Sequence, residues 1–220
     1  DTTCVLAAGG RSFLWIEANL ADEVTSTGHL LLLAGVRFSR VHRSTFVGGN
    51  ASRELVFLTS EARANRLEHL TTRTGGYGVV LQSARDNTVA DVTAFGHWGS
   101  GVVLDTSDHN TLRRLRLAVN RNNGLLLSMA NGNHVTDVIA AGSHYGIQLY
   151  GSSYNIVSGA LLFQSTGVAS WEGEGLRVYA NSTSNALTNL LVFANRRRGV
   201  FLNVNARQNT LSHVTAVNNG

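Results

Sequence analysis

The chain has 220 residues and a mass of 23.6 kDa, which suits one domain or one elongated repeat array. Hydrophobic residues make up 43% of it and charged residues 15%, which excludes a disordered chain. No apolar run reaches the roughly 18 residues of a membrane span, and the single cysteine, Cys4, excludes an intramolecular disulfide framework. All 18 basic residues are arginine, whose planar fork suits acidic partners.

The first part of the chain differs from the rest. Residues 1–29 are predicted to form the N-terminal end of the fold, with a strand from Phe13 to Ile16. A degenerate first coil begins at Leu30–Leu33 and continues to Val41. We therefore expect the repeats to occupy residues 30–220, with an open or truncated C-terminal end.

An asparagine recurs along the remainder of the chain at spacings of 22, 23, 23, 22, 30 and 24 residues. An aliphatic residue follows two positions later, and a glycine then precedes a short apolar strand. The asparagines are Asn65, Asn87, Asn110, Asn133, Asn155, Asn185 and Asn209, and the glycines are Gly78, Gly101, Gly124, Gly146, Gly175 and Gly199. Such a period predicts coils of about 23 residues that stack through parallel strands roughly 4.8 Å apart.

The repeated residues have predicted structural roles. Stacked asparagines are expected to bond along the stack as a ladder. Glycine and asparagine are expected to supply the positive φ that tight bends need. Four residues after the asparagines, Asp91, Arg114 and Asp137 would lie on consecutive coils with alternating charge, as a charge ladder and not a metal site.

The rungs "NTVADVTAFG…GVVL" and "NTLRRLRLAVNRNNGLLL" resemble the parallel β-helix repeats of NosD-like and pectin-lyase-like proteins. The resemblance covers residues 39–220 and implies an all-β fold, a right-handed parallel β-helix of about eight coils. It names no reaction, because enzymes, binding proteins and fibres share this scaffold.

The bend before each repeated glycine departs from ordinary turn chemistry. Aromatic rings stack on the apolar faces of sugars, and arginine grips acidic substituents. The bend therefore predicts a stripe that binds an acidic polysaccharide, although aromatic side chains that merely cover the corners are the structural alternative. The predicted stripe contains Tyr77, His97, Trp98, Arg121, His144, Tyr145, Trp171, Arg196, Arg197 and Arg198.

One rung is longer than the others. The distance from asparagine to glycine is 13 or 14 residues elsewhere but 20 between Asn155 and Gly175, so residues 164–173 are expected to bulge at the same bend. Glu172 and Glu174 lie near the end of this insertion and are the candidate catalytic acid and base. Polysaccharide lyase, epimerase and glycoside hydrolase chemistry stay open, as does a solvated loop without catalysis.

The sequence predicts no cofactor and no metal site, because the cysteine has no partner and the histidines are scattered. The expected partner is an acidic polysaccharide, and nucleic acid is not expected from a lone "RRR". The expected location is extracellular, on the cell surface or periplasmic. The alternative function is a structural fibre, spike or adhesin element that stacks head to tail with copies of itself.

Overall fold

The computed structural model describes residues 5–7, 14–17, 20–24, 29–49, 53–167 and 172–220. Every regular secondary-structure element in these ranges is a β-strand. The strands are β1 Val5–Ala7, β2 Trp15–Glu17, β3 Leu20–Val24, β4 Leu31–Ala34, β5 Arg40–Gly48, β6 Glu54–Thr59, β7 Arg66–Arg73, β8 Tyr77–Gln82, β9 Thr88–Phe95, β10 Val102–Asp105, β11 Thr111–Ala118, β12 Asn123–Ser128, β13 His134–Ala141, β14 Tyr145–Tyr150, β15 Ile156–Phe163, β16 Leu176–Tyr179, β17 Ala186–Phe193, β18 Val200–Leu202 and β19 Thr210–Val217.

The strands form two parallel sheets that the chain visits in alternation. The nine-stranded sheet has the order β1-β4-β6-β8-β10-β12-β14-β16-β18, and the ten-stranded sheet runs from β19 through the odd strands to β5, which pairs with both β2 and β3. Val89, Leu112 and Val135 are direct pairing partners, as the spacing of about 23 residues predicts. The all-β solenoid of about eight coils is therefore confirmed.

The interior is filled by the aliphatic residues of both sheets. Along β11, Leu112, Leu115 and Leu117 are buried, while Arg114 and Arg116 between them are exposed. The same positions repeat in every central coil, so the buried side chains form one continuous cluster along the stack. One coil alone could not bury its apolar face, and stacking supplies that burial.

The asparagine ladder is present and also involves the backbone. Asn133 Oδ1 accepts from the backbone N–H of Asn110 at 2.8 Å and from its Nδ2 at 3.2 Å. Asn133 Nδ2 donates to the Ser107 carbonyl at 3.0 Å and to Asn155 Oδ1 at 3.0 Å. Each buried amide thus satisfies main-chain groups of a neighbouring coil, which water cannot reach.

The expected role of the repeated glycine and asparagine in positive-φ bends is wrong. The repeated glycines do not have positive φ, and the bends use the residue before each ladder asparagine, with φ between 55° and 64°. Glycine is required because coils approach closely here: a Cβ on Gly124 would lie 2.6 Å from the carbonyl oxygen of Gly146. The residues before the ladder asparagines are Ala64, Asp86, His109, Gly132, Tyr154, Ser184 and Gln208.

A second left-handed column divides the long strands of the ten-stranded sheet. The residue four positions after each ladder asparagine has φ between 50° and 66°, and strand pairing skips it, as at Arg114 between Arg113 and Leu115. The predicted charge ladder lies in this column. Arg114 donates two hydrogen bonds to Asp91, at 2.6 and 2.7 Å, and these bonds lower the pKa of Asp91.

Candidate functional site

The candidate site is the corner where each coil leaves the ten-stranded sheet and enters the nine-stranded sheet. We call it the aromatic corner, and it comprises Tyr77, Trp98, Arg121, His144, Tyr145, Glu172, Glu174, Arg196, Arg197 and Arg198. The solenoid brings these residues together from six successive coils. Seven of them occupy two parallel columns of side chains, and Glu172, Arg196 and Arg197 lie beside these columns.

The first column contains Trp98, Arg121 and His144. Backbone bonds from Trp98 to Gly75 and from Arg121 to His97 place successive coils directly over one another here. The Trp98 ring is 46% exposed, and the Arg121 guanidinium carbon lies 3.5 Å from its centroid. This cation–π stack holds the arginine flat on the indole and leaves a planar, charged surface open to solvent.

The second column lies where the chain enters the strands of the nine-stranded sheet. Strand pairing aligns Tyr77, Tyr145, Glu174 and Arg198, two residues before the aligned interior positions of their strands. The Tyr77 ring is 36% exposed and lies over Gly99 of the next coil, where a side chain would collide with it. Tyr77 also borders a groove of about 290 Å³ that continues past Val103 and Leu126.

His97 does not belong to this surface, and the prediction of an exposed imidazole is wrong. Its ring is 0% exposed, with Nε2 3.1 Å from Thr72 Oγ1. Its backbone N–H donates to Asn120 Oδ1, so His97 begins a second interior ladder at this corner. Burial lowers the pKa of His97 to about 4. Asn120 N–H in turn donates to Ser143 Oγ, and further along the same column Ser165 N–H donates to Asn195 Oδ1 and Asn195 N–H to Asn219 Oδ1.

Tyr145 is also mostly buried, at 6% exposure, and burial raises its pKa. Its hydroxyl accepts a hydrogen bond from Arg177 Nη1 at 2.6 Å. The Arg177 guanidinium lies 4.5 Å from the centroid of Tyr179, whose ring is 5.0 Å from that of Tyr150. An aromatic and arginine cluster therefore extends from the corner onto the outer face of the nine-stranded sheet.

Arg177, Tyr179 and Tyr150 were missed by the sequence reasoning. Tyr179 pairs with Tyr150, and Arg177 with Gln148, at outward positions of β16 and β14. The signal was present, because Leu176 and Val178 are buried and the residues between and after them must point outward.

Glu174 lies inside the corner. Its side chain is 0% exposed, and Oε1 lies 3.5 Å from Nη1 of both Arg197 and Arg198. Oε2 has no hydrogen-bond partner among the described residues. The structure therefore does not present Glu174 to solvent as the predicted catalytic carboxylate; it holds two partly exposed guanidinium groups in place.

The lengthened coil and the coil after it contribute the remaining residues. Glu172 Oε2 lies 3.7 Å from His144 Nδ1, and both side chains are partly exposed. Arg196 Nη1 donates to the carbonyls of Thr166 and Gly167 and so fastens the start of the insertion. Trp171 lies outside the described residues, as do residues 168–170 of the predicted bulge.

The corner is strongly cationic. Arg121 and residues 196–198 give four positive charges against two negative charges from Glu172 and Glu174, a net charge of +2, and the adjoining Arg177 adds one more positive charge. Arg198 also stacks on Phe201, 4.3 Å from the ring centroid. Aromatic rings that carry flat guanidinium groups suit a ligand with apolar faces and anionic substituents.

Solved structures with the same fold include two proteins with low sequence identity. Tailspike protein 2 of bacteriophage CBA120, in its enzymatically active domain, superposes with a TM-score of 0.61 at 12% identity, over 94% of this chain and 35% of the tailspike chain. The periplasmic alginate epimerase AlgG gives a TM-score of 0.56 at 14% identity, over 85% of this chain and 61% of the epimerase chain. The chain thus spans about a third of the tailspike and less than two thirds of the epimerase.

Sequence comparison gives the family. No curated protein sequence matches the chain. In the described residues, no helix is long and apolar enough to span a membrane. The family model described as periplasmic copper-binding protein (NosD) matches residues 22–189, more than half of the chain, and the chain belongs to this family.

Proposed function

We propose that the protein binds an extended acidic polysaccharide along the aromatic corner and the adjoining face of the nine-stranded sheet. The observation that carries this proposal is the exposed stack of Arg121 on Trp98, beside the cluster of Arg177, Tyr179 and Tyr150. A chain lying along the solenoid axis would meet one coil about every 4.8 Å and a cationic or aromatic group on most of them. Each contact would contribute a modest binding free energy, and the affinity would come from many contacts made by the same polymer chain.

The arginines of the coil that follows the lengthened one are arranged for this role. The buried Glu174 carboxylate positions Arg197 and Arg198, so less side-chain entropy is lost when they meet an anion. Arg121 is held in the same way by the Trp98 ring. Preorganised guanidinium groups bind carboxylates in bidentate geometry with higher specificity than free ones.

The comparisons support this proposal through what the similar proteins are. One is an alginate epimerase, whose named substrate is an acidic polysaccharide, and another is a tailspike with an enzymatically active domain. The location follows the family description and the epimerase, both of which are periplasmic. We accordingly propose a periplasmic or extracellular location for this protein.

Binding is tested by affinity electrophoresis in gels that contain polygalacturonate. Trp98→Ala and Arg121→Ala are each expected to weaken retardation about tenfold, because each removes half of the exposed stack. Trp15→Ala is the matched control, since Trp15 is also exposed with Arg40 near its ring but lies on the ten-stranded sheet. Equal retardation of all three variants and the parent protein would refute the assignment.

Processing of the polysaccharide is the further part of the proposal. At the surface of the corner the candidate acid–base pair is Glu172 with His144, 3.7 Å apart. Lyase activity would produce unsaturated ends that absorb ultraviolet light, and His144→Gln should abolish the increase without abolishing binding. A flat absorbance trace for the parent protein across polyuronates and pH values would reject lyase activity for this pair.

Copper, which the family description names, does not fit the described residues. They contain no group of three or more His, Cys, Asp or Glu that could hold a metal ion. The nearest pair of histidine rings, His42 and His69, stands edge to face at 5.0 Å. We therefore base no step of the proposed function on copper.

Head-to-tail stacking of copies stays the alternative function. The strand β19 has apolar side chains, among them Leu211 and Ala216, that are exposed where their pairing partners in central coils, such as Leu187 and Val192, are buried. Sedimentation velocity over a wide concentration range tests it. A constant monomer peak would reject self-stacking, and a peak that shifts steadily with concentration would support it.

A further inference from the structure

A large groove lies on the other sheet, away from the aromatic corner. It has a volume of about 510 Å³ and runs across β9, β11, β13 and β15 on the outer face of the ten-stranded sheet. Its wall is the left-handed column of Asp91, Arg114, Asp137 and Gly159. Its floor is the neighbouring outward column of Thr93, Arg116, Ile139 and Leu161, which are direct pairing partners.

The charged groups of this groove are not all neutralised. Asp91 is engaged by Arg114 in a two-bond pair. Asp137 and Arg116, in contrast, form no ion pair or side-chain hydrogen bond with any described residue, although they line one groove. The groove thus offers the Arg116 guanidinium and the Asp137 carboxylate, which interacts with Arg114 only through longer-range charge, with half-buried Ile139 and Leu161 as an apolar surface beside them.

Gly159 leaves space in the groove next to the Asp137 carboxylate. Every other member of its column between Arg43 and His213 has a side chain, yet all adopt positive φ, so backbone geometry alone does not demand glycine. A Cβ at residue 159 would lie 3.1 Å from Asp137 Oδ1. The missing side chain therefore leaves Asp137 accessible from the end of the groove.

We propose that this groove is a second carbohydrate site that takes a short oligosaccharide containing uronic acid. The carboxylate of the sugar pairs with Arg116, its hydroxyl groups donate to Asp137, and its apolar ring face lies on Ile139 and Leu161. A neutral sugar would leave Arg116 unpaired, and a simple anion would leave Asp137 and the apolar floor unused. The volume is that of a ligand pocket of ordinary size.

The four isoleucines of the chain give a direct assay. Ile139 lies in the groove, Ile147 is fully buried, and Ile156 is exposed elsewhere on the ten-stranded sheet. In methyl-labelled protein titrated with tri-galacturonate, the δ1 methyl resonance of Ile139 should shift in a saturable manner. The resonance of Ile156 should not move, and the fully methyl-esterified trisaccharide should bind about tenfold more weakly.

Two variants and one control complete the test. Arg116→Gln should weaken the Ile139 response about tenfold, and Gly159→Asn should block it, since asparagine tolerates positive φ and occupies this column at Asn189. Arg73→Gln removes an exposed arginine from the same sheet outside the groove and should change nothing.

The outcomes separate this site from the aromatic corner. Trp98→Ala should leave the Ile139 response intact even if it abolishes retardation by polygalacturonate. An Ile139 resonance that does not move with tri-galacturonate, or that moves equally with the methyl ester and in Gly159→Asn, would overturn the proposal.

Discussion

The interior asparagine ladder makes a quantitative prediction about stability. In Asn133→Ala, the backbone N–H of Asn110 and the carbonyl of Ser107 each lose the amide that satisfies them. Both groups lie in the middle of the stack, where Asn110 and Asn133 are about 1% exposed. At about 1–3 kcal/mol for each buried polar group left without a partner, the free energy of unfolding should fall by about 2–6 kcal/mol.

The matched control is Asn209→Ala in the same column. Asn209 makes equivalent bonds, to Asn185 and to Ser182, but it is only half-buried, so water can replace its amide. The free energy of unfolding of Asn209→Ala should therefore fall by only about 1 kcal/mol.

The assay is equilibrium urea unfolding, in which the midpoint should move at constant slope. Losses of equal size in the two variants would show that the ladder does not act by satisfying buried backbone groups.

Three further predictions follow from other contacts. Gly124→Ala should destabilise the fold by more than about 1 kcal/mol in the same urea assay, because the added Cβ would collide with the Gly146 carbonyl oxygen. The control is Gly96→Asn, which should be tolerated, because Gly96 has a φ of 71° and space around it. Because burial lowers the pKa of His97 to about 4, the unfolded chain binds the proton more strongly than the folded one, and the free energy of unfolding should fall by about 3 kcal/mol in total as the pH falls from 6.5 toward 4. The urea midpoint of His97→Asn should lack this dependence on pH. A parent protein whose midpoint also lacked it would contradict the buried imidazole. The pKa of Asp91 is lowered by Arg114, so the stabilisation from this pair is present at neutral pH and is lost as the pH falls below the ordinary value of 3.8 and through the lowered pKa. Asp91→Asn should therefore unfold more easily than the parent protein at pH 7 and equally easily at the acid end. A difference in stability that stays constant with pH would count against the pair.

The period of the sequence was sufficient to predict the solenoid, because a residue type that repeats every 22 to 24 positions must occupy one column of a stacked coil. The same period identified Asn133 as a ladder residue and Trp98 and Arg121 as neighbours. It did not reveal why Gly124 is glycine, since close approach between coils depends on the path of the backbone and not on local conformational preference.

The errors at the aromatic corner have a common cause. His97 and Trp98 are adjacent in the chain, but one belongs to an interior ladder with Asn120 and the other to the surface column with Arg121. A shift of one position exchanges inside for outside, as in any strand. Glu174 shows a similar limit, because its burial depends on the arginines of the next coil, which its own rung does not indicate.

The asparagine and glycine contacts between coils have a consequence for how such a molecule can change its length. Every central coil presents the same amides and the same bare glycine to the coil on either side, so a whole coil gained or lost in the middle would create junctions identical to those already there. The ligand-facing surface could then grow or shrink in steps of about 4.8 Å without any new packing arrangement. The length of polymer that such a protein contacts would depend on the number of its coils, whereas its choice of ligand would depend on the few side chains that each coil displays.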